Sequence, residues 1–356
     1  MILVINPGSS SLKYKLFDDS FKELRFSNIE VPSLGIKNHA MACAKMISDI
    51  SDDLPSVKFI GIRVVHGGNY DKPVLITKSV LSQINKLKNL APLHNPPAIS
   101  VIKTIKRSLS KIPFYAVCDT SFYTDLPVSS ATYALPYNIA RKLQIRRYGF
   151  HGISHKYVCD LVDPKLENRV ISIHLGGGCS ITAINKGNVI DTSMGFTPDE
   201  GLVMHTRSGD LDPGLVLFLV KRFGYKKAKN IIEKESGLKG FTNGGMLTTL
   251  YLAEEKVEEP DFHCKTARTP ENKKLAQLAL EIYVVKIKKY IGAYATLMGG
   301  VDIISFTGNV GSGSSVIREK IMEGLGFLRY TKTEVIKTNE ELAIAQEIYG
   351  VINGKQ

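Results

Sequence analysis

Apolar residues along this chain come in short runs that stop at segments rich in glycine, serine or asparagine, the pattern of buried strands ended by turns. Ile2-Leu3-Val4-Ile5 stops at Asn6-Pro7-Gly8-Ser9-Ser10-Ser11 and is followed by a second strand, Leu12-Lys13-Tyr14-Lys15-Leu16-Phe17. Val170-Ile171-Ser172-Ile173 stops at His174-Leu175-Gly176-Gly177-Gly178 and runs into Ser180-Ile181-Thr182-Ala183-Ile184. A third run, Val301-Asp302-Ile303-Ile304-Ser305-Phe306, stops at a glycine-rich turn, Thr307-Gly308-Asn309-Val310-Gly311-Ser312-Gly313. The first two superpose at a constant offset of 168 residues, which brings Asn6 onto His174 and Gly8 onto Gly176. Two strand–turn–strand units half a chain apart predict a duplicated α/β architecture.

Between these units the pattern changes to a helical one. Lys273 to Tyr294 reads as a helix with Leu275, Leu278, Leu280, Ile282 and Val285 on its apolar side, and Val216 to Phe223 reads as a second. A short strand, Phe114-Tyr115-Ala116-Val117, ends at Cys118-Asp119-Thr120. Near the C-terminus, Thr338 or Asn339 is placed to cap a helix whose first turn holds Glu340 and Glu341, where acids favour the positive helix end.

A length of 356 residues suits two domains, and 44% hydrophobic with 22% charged residues is ordinary for a globular protein. Nothing approaches 18 consecutive apolar residues, and the N-terminal run lacks a basic flank, so neither a membrane span nor a signal peptide is expected. The five cysteines (Cys43, Cys118, Cys159, Cys179 and Cys264) are odd in number, scattered and without a CxxC pair. That argues against a disulfide framework or zinc cluster and for a reducing, cytoplasmic setting. The net charge of +12 comes from dispersed lysines such as Lys103, Lys106, Lys111, Lys286, Lys288 and Lys289, with no aromatic-interleaved basic motif. It reads as surface charge, and neither nucleic acid nor a membrane is expected as a partner.

Glycine- and hydroxyl-rich turns directly after strands let backbone N–H groups approach an anion closely, and three of them fit a polyphosphate. The candidate contacts are Asn6, Ser9, Ser11 and Lys13 in the first, His174, Gly176, Gly177 and Gly178 in the second, and Asn309, Val310 and Gly311 in the third. Neither GxxxxGK followed by Ser or Thr nor GxGxxG occurs, which disfavours a Walker loop and a dinucleotide fingerprint. Arg63, His94, Asp119, His151 and Arg207 sit at strand ends or in loops. Cations and imidazoles beside an acid are what phosphoryl transfer requires, with the acid able to hold a metal. Each taken alone has a plainer reading, as a cap or a salt bridge. Spacing by itself therefore reaches a phosphate-binding α/β enzyme and goes no further.

Seven longer motifs sharpen this. Asn6-Pro7-Gly8-Ser9-Ser10-Ser11-Leu12-Lys13, Arg63-Val64-Val65-His66-Gly67-Gly68 and Ala91-Pro92-Leu93-His94-Asn95-Pro96-Pro97 resemble the signatures of the acetate kinase family. So do Arg147-Tyr148-Gly149-Phe150-His151-Gly152, Asp191-Thr192-Ser193-Met194-Gly195-Phe196-Thr197-Pro198, Thr206-Arg207-Ser208-Gly209-Asp210 and Thr338-Asn339-Glu340-Glu341. They run in family order along essentially the whole chain, which is somewhat shorter than family members usually are. The resemblance implies a duplicated ribonuclease H-like fold of the actin and hexokinase type with a central cleft. Its N-terminal domain would span residues 1–120, joined by a C-terminal helix at 341–356, and its second domain residues 121–340. It implies a homodimer and the reaction ATP + acetate ⇌ ADP + acetyl phosphate with Mg²⁺, or Mn²⁺ in its place.

By match to those motifs, Arg63 and Arg207 would clamp the carboxylate and the transferring phosphoryl group. His151 would stabilise the transition state with His94 assisting. Asp119 and Glu340 would position Mg²⁺ and substrate, and Asn6 would hold phosphate and share the metal with Glu340. Val65, Leu93, Phe150 and Pro198 would line the pocket for the acetate methyl.

Three departures from the family pattern cluster on the donor side. The second turn is Gly176-Gly177-Gly178 where Gly-Asn-Gly is usual. A Ser-Asn-Asp-x-Arg segment reads Thr242-Asn243-Gly244-Gly245-Met246, and a Gly-Gly-Ile-Gly-Glu-Asn turn reads Gly308-Asn309-Val310-Gly311-Ser312-Gly313. The donor is thus open between ATP, another nucleotide and pyrophosphate, and the acceptor between acetate and propionate. An inactive nucleotide-binding relic is the non-enzyme alternative, set against the retention of Asn6, Arg63, His94, Asp119, His151, Arg207 and Glu340.

Overall fold

The computed structural model describes residues 1–33, 35–253 and 266–354, so Cys264 lies outside the described residues. The chain forms two compact units. The first comprises Met1–Thr124, Phe150–Tyr157 and the chain from Asn339 onward; the second comprises Asp125–Gly149 and Val158–Thr338.

The first unit is built on a six-stranded sheet of β1 (Ile2–Pro7), β2 (Ser11–Phe17), β3 (Glu23–Glu30), β4 (Phe59–Val64), β5 (Val74–Leu75) and β6 (Phe114–Cys118), in the order β3-β2-β1-β4-β6-β5. β1 is buried along its whole length, as its unbroken apolar run requires of a strand covered on both faces. Leu3 and Ile5 point into a core shared with helices His39–Asp49 and Asn95–Ser108. Ile2 and Val4, one pleat out of phase, meet Ala343, Ile344 and Ile348 of helix Glu340–Ile352 on the other face. Gly61 in β4 makes that second layer tight, since a Cβ there would lie 2.6 Å from Ile348 and 2.8 Å from Ile344.

The second unit repeats the plan with β7 (Arg169–Leu175), β8 (Cys179–Asn185), β9 (Asn188–Thr192), β10 (Ile303–Thr307) and β11 (Lys332–Val335), in the order β11-β10-β7-β8-β9. In both sheets the leading strand pairs antiparallel with the next and parallel with the one that returns after the crossover. This is the duplicated α/β architecture expected from the 168-residue offset, in the ribonuclease H-like form that the family resemblance implies. The two hairpins differ at the tip. The first closes on Pro7 opposite Leu12, the second on Leu175 opposite Cys179, so the second turn is one residue shorter.

Two expectations are corrected. Gly308–Gly313 is helical rather than a turn, followed by helix Ser315–Met322 with Ser314 as its side-chain cap. Gly308 starts it at φ 77°, and a Cβ there would overlap the Leu175 carbonyl, so glycine is what lets the helix begin directly against β7. The long helix is Pro270–Met298, and of the apolar side inferred from periodicity only Leu280 is buried. Its core stripe is Ala276, Ala279, Leu280, Tyr283, Val284, Ile287, Ile291 and Tyr294, while Leu275, Leu278, Ile282 and Val285 are exposed. The helix has two apolar stripes, and a 3.6-residue period cannot say which one faces the core. Cys43, Cys118, Cys159 and Cys179 are all reduced and buried. Among the described residues no helix is long and apolar enough to cross a membrane.

Candidate active site

Adjacent strand ends bring the polar residues of the first unit together. Asn6 lies near the end of β1, Arg63 in β4 and Asp119 immediately after β6. The fourth member, Glu340, opens the C-terminal helix. Asn339 caps that helix by accepting from the Leu342 N–H at 3.3 Å, which fixes where Glu340 enters the cluster. At the first turn, His39 Nε2 lies 2.8 Å from the Gly8 carbonyl.

Arg63 donates from Nε and Nη2 to the two oxygens of Asp119 at 3.1 and 2.8 Å, and from Nη1 to Glu340 at 2.6 Å. Asn6 Nδ2 donates to Glu341 at 2.8 Å and to Glu340 at 3.2 Å. One guanidinium thus answers to three carboxylates, those of Asp119, Glu340 and Glu341. Burial pushes the Asp119 carboxyl up to about 6 against the pull of Arg63, and Glu340 adds to the push. Burial works against the Arg63 charge as well, but Asp119 and Glu340 outweigh it and the guanidinium stays charged.

The neighbouring loops are pinned to this cluster. The backbone N–H of His151 hydrogen-bonds the Asp119 carboxylate, and Gly152 N–H donates to the Asp119 carbonyl at 3.1 Å. His151 takes a left-handed conformation at φ 56°, a strained geometry for a residue with a side chain. The carbonyl of Phe150 accepts from Tyr123 at 2.9 Å, and its buried ring stands edge-on to His66. His66 is fully buried, and burial pushes its imidazole down to about 4, so it is neutral at pH 7. Gly68 N–H donates to its Nδ1 at 3.2 Å, which puts the ring proton on Nε2. Val65 is buried beyond the end of β4, while Leu93 and His94 are half-buried where helix Asn95–Ser108 begins.

In the second unit, the three segments that depart from the family pattern converge. Gly176, Gly177, Asn243, Gly244, Gly245, Met246, Asn309, Val310 and Gly313 line one cavity of about 830 Å³. Leu238, Leu247, Leu250 and Tyr283 give it apolar walls, and His205 joins the lining. Gly178 and Gly311 are not in that lining: Gly178 closes the turn by accepting from Gly176 N–H at 3.0 Å, and Gly311 packs near Leu175. His174 sits at the end of β7 beside Gly176. Ser9, Ser11 and Lys13 stay on the first hairpin, where Gly8 N–H donates to the Ser11 carbonyl at 2.8 Å.

Arg207 also belongs to the second unit. Its Nη1 donates to the Pro198 carbonyl at 2.5 Å, and Asp199 stands 3.9 Å from its Nε. Burial weakens its charged form more than Asp199 restores it. A buried guanidinium held by a carbonyl and a distant carboxylate has the chemistry of an anion receptor.

Sequence reasoning passed over three residues here. Asn95 is fully buried and clasps the backbone of His66, Glu341 shares Asn6 with Glu340, and His205 lines the cavity. Each stands beside a residue already singled out. Nothing in spacing alone marks a side chain whose partner is a distant backbone.

The oxygen set of Asn6, Asp119 and Glu340 suits a hard divalent cation, and its surplus of negative charge gives that cation something to offset. Among the described residues no three His, Cys, Asp or Glu side chains form a ready-made metal cage.

Fold and site together define a phosphotransferase of the duplicated ribonuclease H-like class. Among solved structures the chain is similar to the acetate kinase of Porphyromonas gingivalis (TM-score 0.83, 32% identity, 99% of each chain covered). It is equally similar to a propionate kinase from Francisella tularensis (TM-score 0.85, 32% identity, 97% of this chain and 98% of that one). An acetate kinase of Coprothermobacter proteolyticus is 37% identical over 410 residues, covering 99% of both chains. The Acetokinase family model matches residues 25–341, and the chain belongs to the acetokinase family.

Proposed function

We propose that this chain transfers the γ-phosphoryl group of ATP to acetate, giving acetyl phosphate and ADP, and catalyses the reverse reaction. The observation that carries the donor assignment is the cavity of about 830 Å³. Its size and apolar walls support a nucleoside-bearing donor over pyrophosphate, which would leave most of it unused.

Acetate is ionised at neutral pH, so its oxygen needs no general base. The task is to bring negative charge against negative charge. Arg63 and Arg207 take the carboxylate and the transferring phosphoryl group, while His151 and His94 donate to oxygens whose charge grows in the transition state. Asn6, Ser9, Ser11 and Lys13 serve phosphate on the first hairpin, and Gly176 to Gly178 with Asn309 to Gly311 serve the nucleotide. Val65, Leu93 and Phe150 of the first unit and Pro198 of the second are the residues assigned to the methyl group. Asn6 and Glu340, with Asp119, are the residues that would hold Mg²⁺ or Mn²⁺, which when bound neutralises phosphate charge.

Propionate is the second acceptor, favoured by the similarity to a protein named as a propionate kinase. One methylene is worth only about 1–3 kcal/mol of discrimination. A homodimer is supported by the apolar surface of the second unit. Helix Pro213–Phe223 has no buried residue, and Leu217 and Phe218 are 70% and 61% exposed. The reduced, buried cysteines support a cytoplasmic setting.

The test is acetyl phosphate formation from ATP, GTP and pyrophosphate, with acetate and propionate in parallel. ATP should be the fastest donor. Pyrophosphate outpacing ATP would overturn the donor assignment, and no acyl phosphate with any donor would overturn the function.

A further inference from the structure

The segment that carries Pro198 and leads to Arg207 is held by residues that neither composition nor motif assigned a role. Arg147 donates from Nη1 to the carbonyls of Thr192 and Ser193 at 3.0 and 3.3 Å, and from Nη2 to Glu200 at 2.8 Å. Its guanidinium also stacks over the Tyr133 ring, 5.5 Å from the centroid. The Tyr133 hydroxyl donates to the other oxygen of Glu200 and accepts from Phe196 N–H at 2.8 Å. Tyr148 N–H completes the hold by donating to the Gly195 carbonyl at 3.0 Å.

Gly195 shows how closely the parts fit. A Cβ there would overlap both the Glu200 carboxylate and the Tyr133 hydroxyl, so the phenol and the acid occupy the inside of the loop. Five residues on from Gly195 the same loop ends at Glu200, and between them the Pro198 carbonyl accepts from Arg207. A charge-assisted, mutually satisfied network of half-buried groups is stiff, because moving one member leaves a partly desolvated partner unpaired.

We propose that Tyr133, Arg147 and Glu200 form a brace that positions the 193–198 loop, and through the Pro198 carbonyl aims the Arg207 guanidinium. They are positioning residues, and they also set how well acetate is told from longer carboxylates, because Pro198 rides on the loop they hold. This rests on the reading of the chain as a carboxylate kinase. A misplacement of about 1 Å at a reacting group can cost on the order of a hundredfold in rate.

The experiment compares the full-length chain with Tyr133→Phe, which keeps the ring over Arg147 and removes the hydroxyl, and with Glu200→Gln, which keeps the shape and removes the charge. Each is read by steady-state kinetics on acetate and propionate and by amide exchange of the peptide containing Gly195 and Phe196. Both variants should lose about tenfold or more in kcat on acetate with the KM for ATP within about twofold. The ratio of kcat/KM for propionate over acetate should rise, and exchange in the loop peptide should quicken at least about tenfold. Unchanged kcat and unchanged selectivity in folded variants would overturn the brace even with an active parent enzyme. An inactive parent would instead overturn the functional reading, and the exchange measurement alone would then decide the brace, with unchanged protection refuting it.

Discussion

The side-chain amide of Asn95 holds the backbone of His66 from both sides, accepting from its N–H at 3.0 Å and donating to its carbonyl at 2.9 Å. This fastens the loop after Arg63 to the start of the helix that follows His94. Replacing Asn95 by Ala leaves two buried backbone groups unpaired, at about 1–3 kcal/mol each. Asn95→Ala is expected to lower the urea midpoint accordingly and to lower turnover with it, and a stability equal to wild type would show the clasp to be dispensable.

The raised Asp119 carboxyl gives a signed pH dependence. The unfolded chain releases this proton near 3.8 and the native chain near 6, so the native state holds more protons between those values. This group therefore contributes stability that is fully present below 3.8 and lost as pH rises through about 6. Activity should move the other way, since the ionised form is the one that can hold a cation. Acetyl phosphate formation is expected to rise through about pH 6 and Asp119→Asn to remove that limb along with most of the activity; an unchanged profile in the variant would assign the limb to another group.

Arg207 tests the anion receptor. Arg207→Ala should lower turnover at least about a hundredfold, as for the loss of a transition-state donor. Arg207→Lys should recover little of it, because a lysine cannot reproduce the planar fork. Initial rates at saturating ATP and acetate decide this, and near-normal turnover in the alanine variant would remove Arg207 from the reaction.

The strand–turn–strand units, the offset between them and the capping of the last helix by Asn339 were legible, because a central strand must be apolar throughout and a cap must be a short polar residue. The motifs named Asn6, Arg63, Asp119 and Glu340, and the structure brings these four side chains together at the strand ends. The contacts among them were not legible. That Arg63 answers to Asp119 and Glu340, or that Glu341 shares Asn6, depends on which strand ends the sheet makes neighbours. Leu275 and Leu278 misled for a related reason. Apolar spacing reports that a face is apolar, and only tertiary packing decides that the face bearing Tyr283 and Ile287 is the one turned inward.

Gly177 offers a gain-of-function test of the altered donor turn. A Cβ at this position would meet nothing within 4 Å, so a side chain can be added without displacing its surroundings. Gly177→Asn restores the amide that the family pattern places there, and is expected to lower the KM for ATP about tenfold, as a new hydrogen bond to a charged group of about 1.5 kcal/mol would. Titration with ATP and with pyrophosphate checks it; a KM for ATP that does not fall would mean the amide has no phosphate to reach.

The apolar surface of the second unit makes a last prediction. Leu217→Glu together with Phe218→Glu should shift a dimer to a monomer in light scattering while leaving the monomer folded, since neither residue is buried within the chain. An unchanged mass would place the subunit contact elsewhere.

The helix Glu340–Ile352 closes one face of the first sheet and also supplies the carboxylate that meets Arg63 from 277 residues away. A ribosome adding about 5–20 residues per second reaches Glu340 on the order of 15–55 s after Arg63. Throughout that interval Ile2, Val4 and Phe59 have no helix to cover them, and the guanidinium lacks one of the two acids it hydrogen-bonds. Synthesis and completion of the first unit are thereby coupled: a nascent or truncated chain lacking this helix leaves one face of its first sheet uncovered and Arg63 without Glu340.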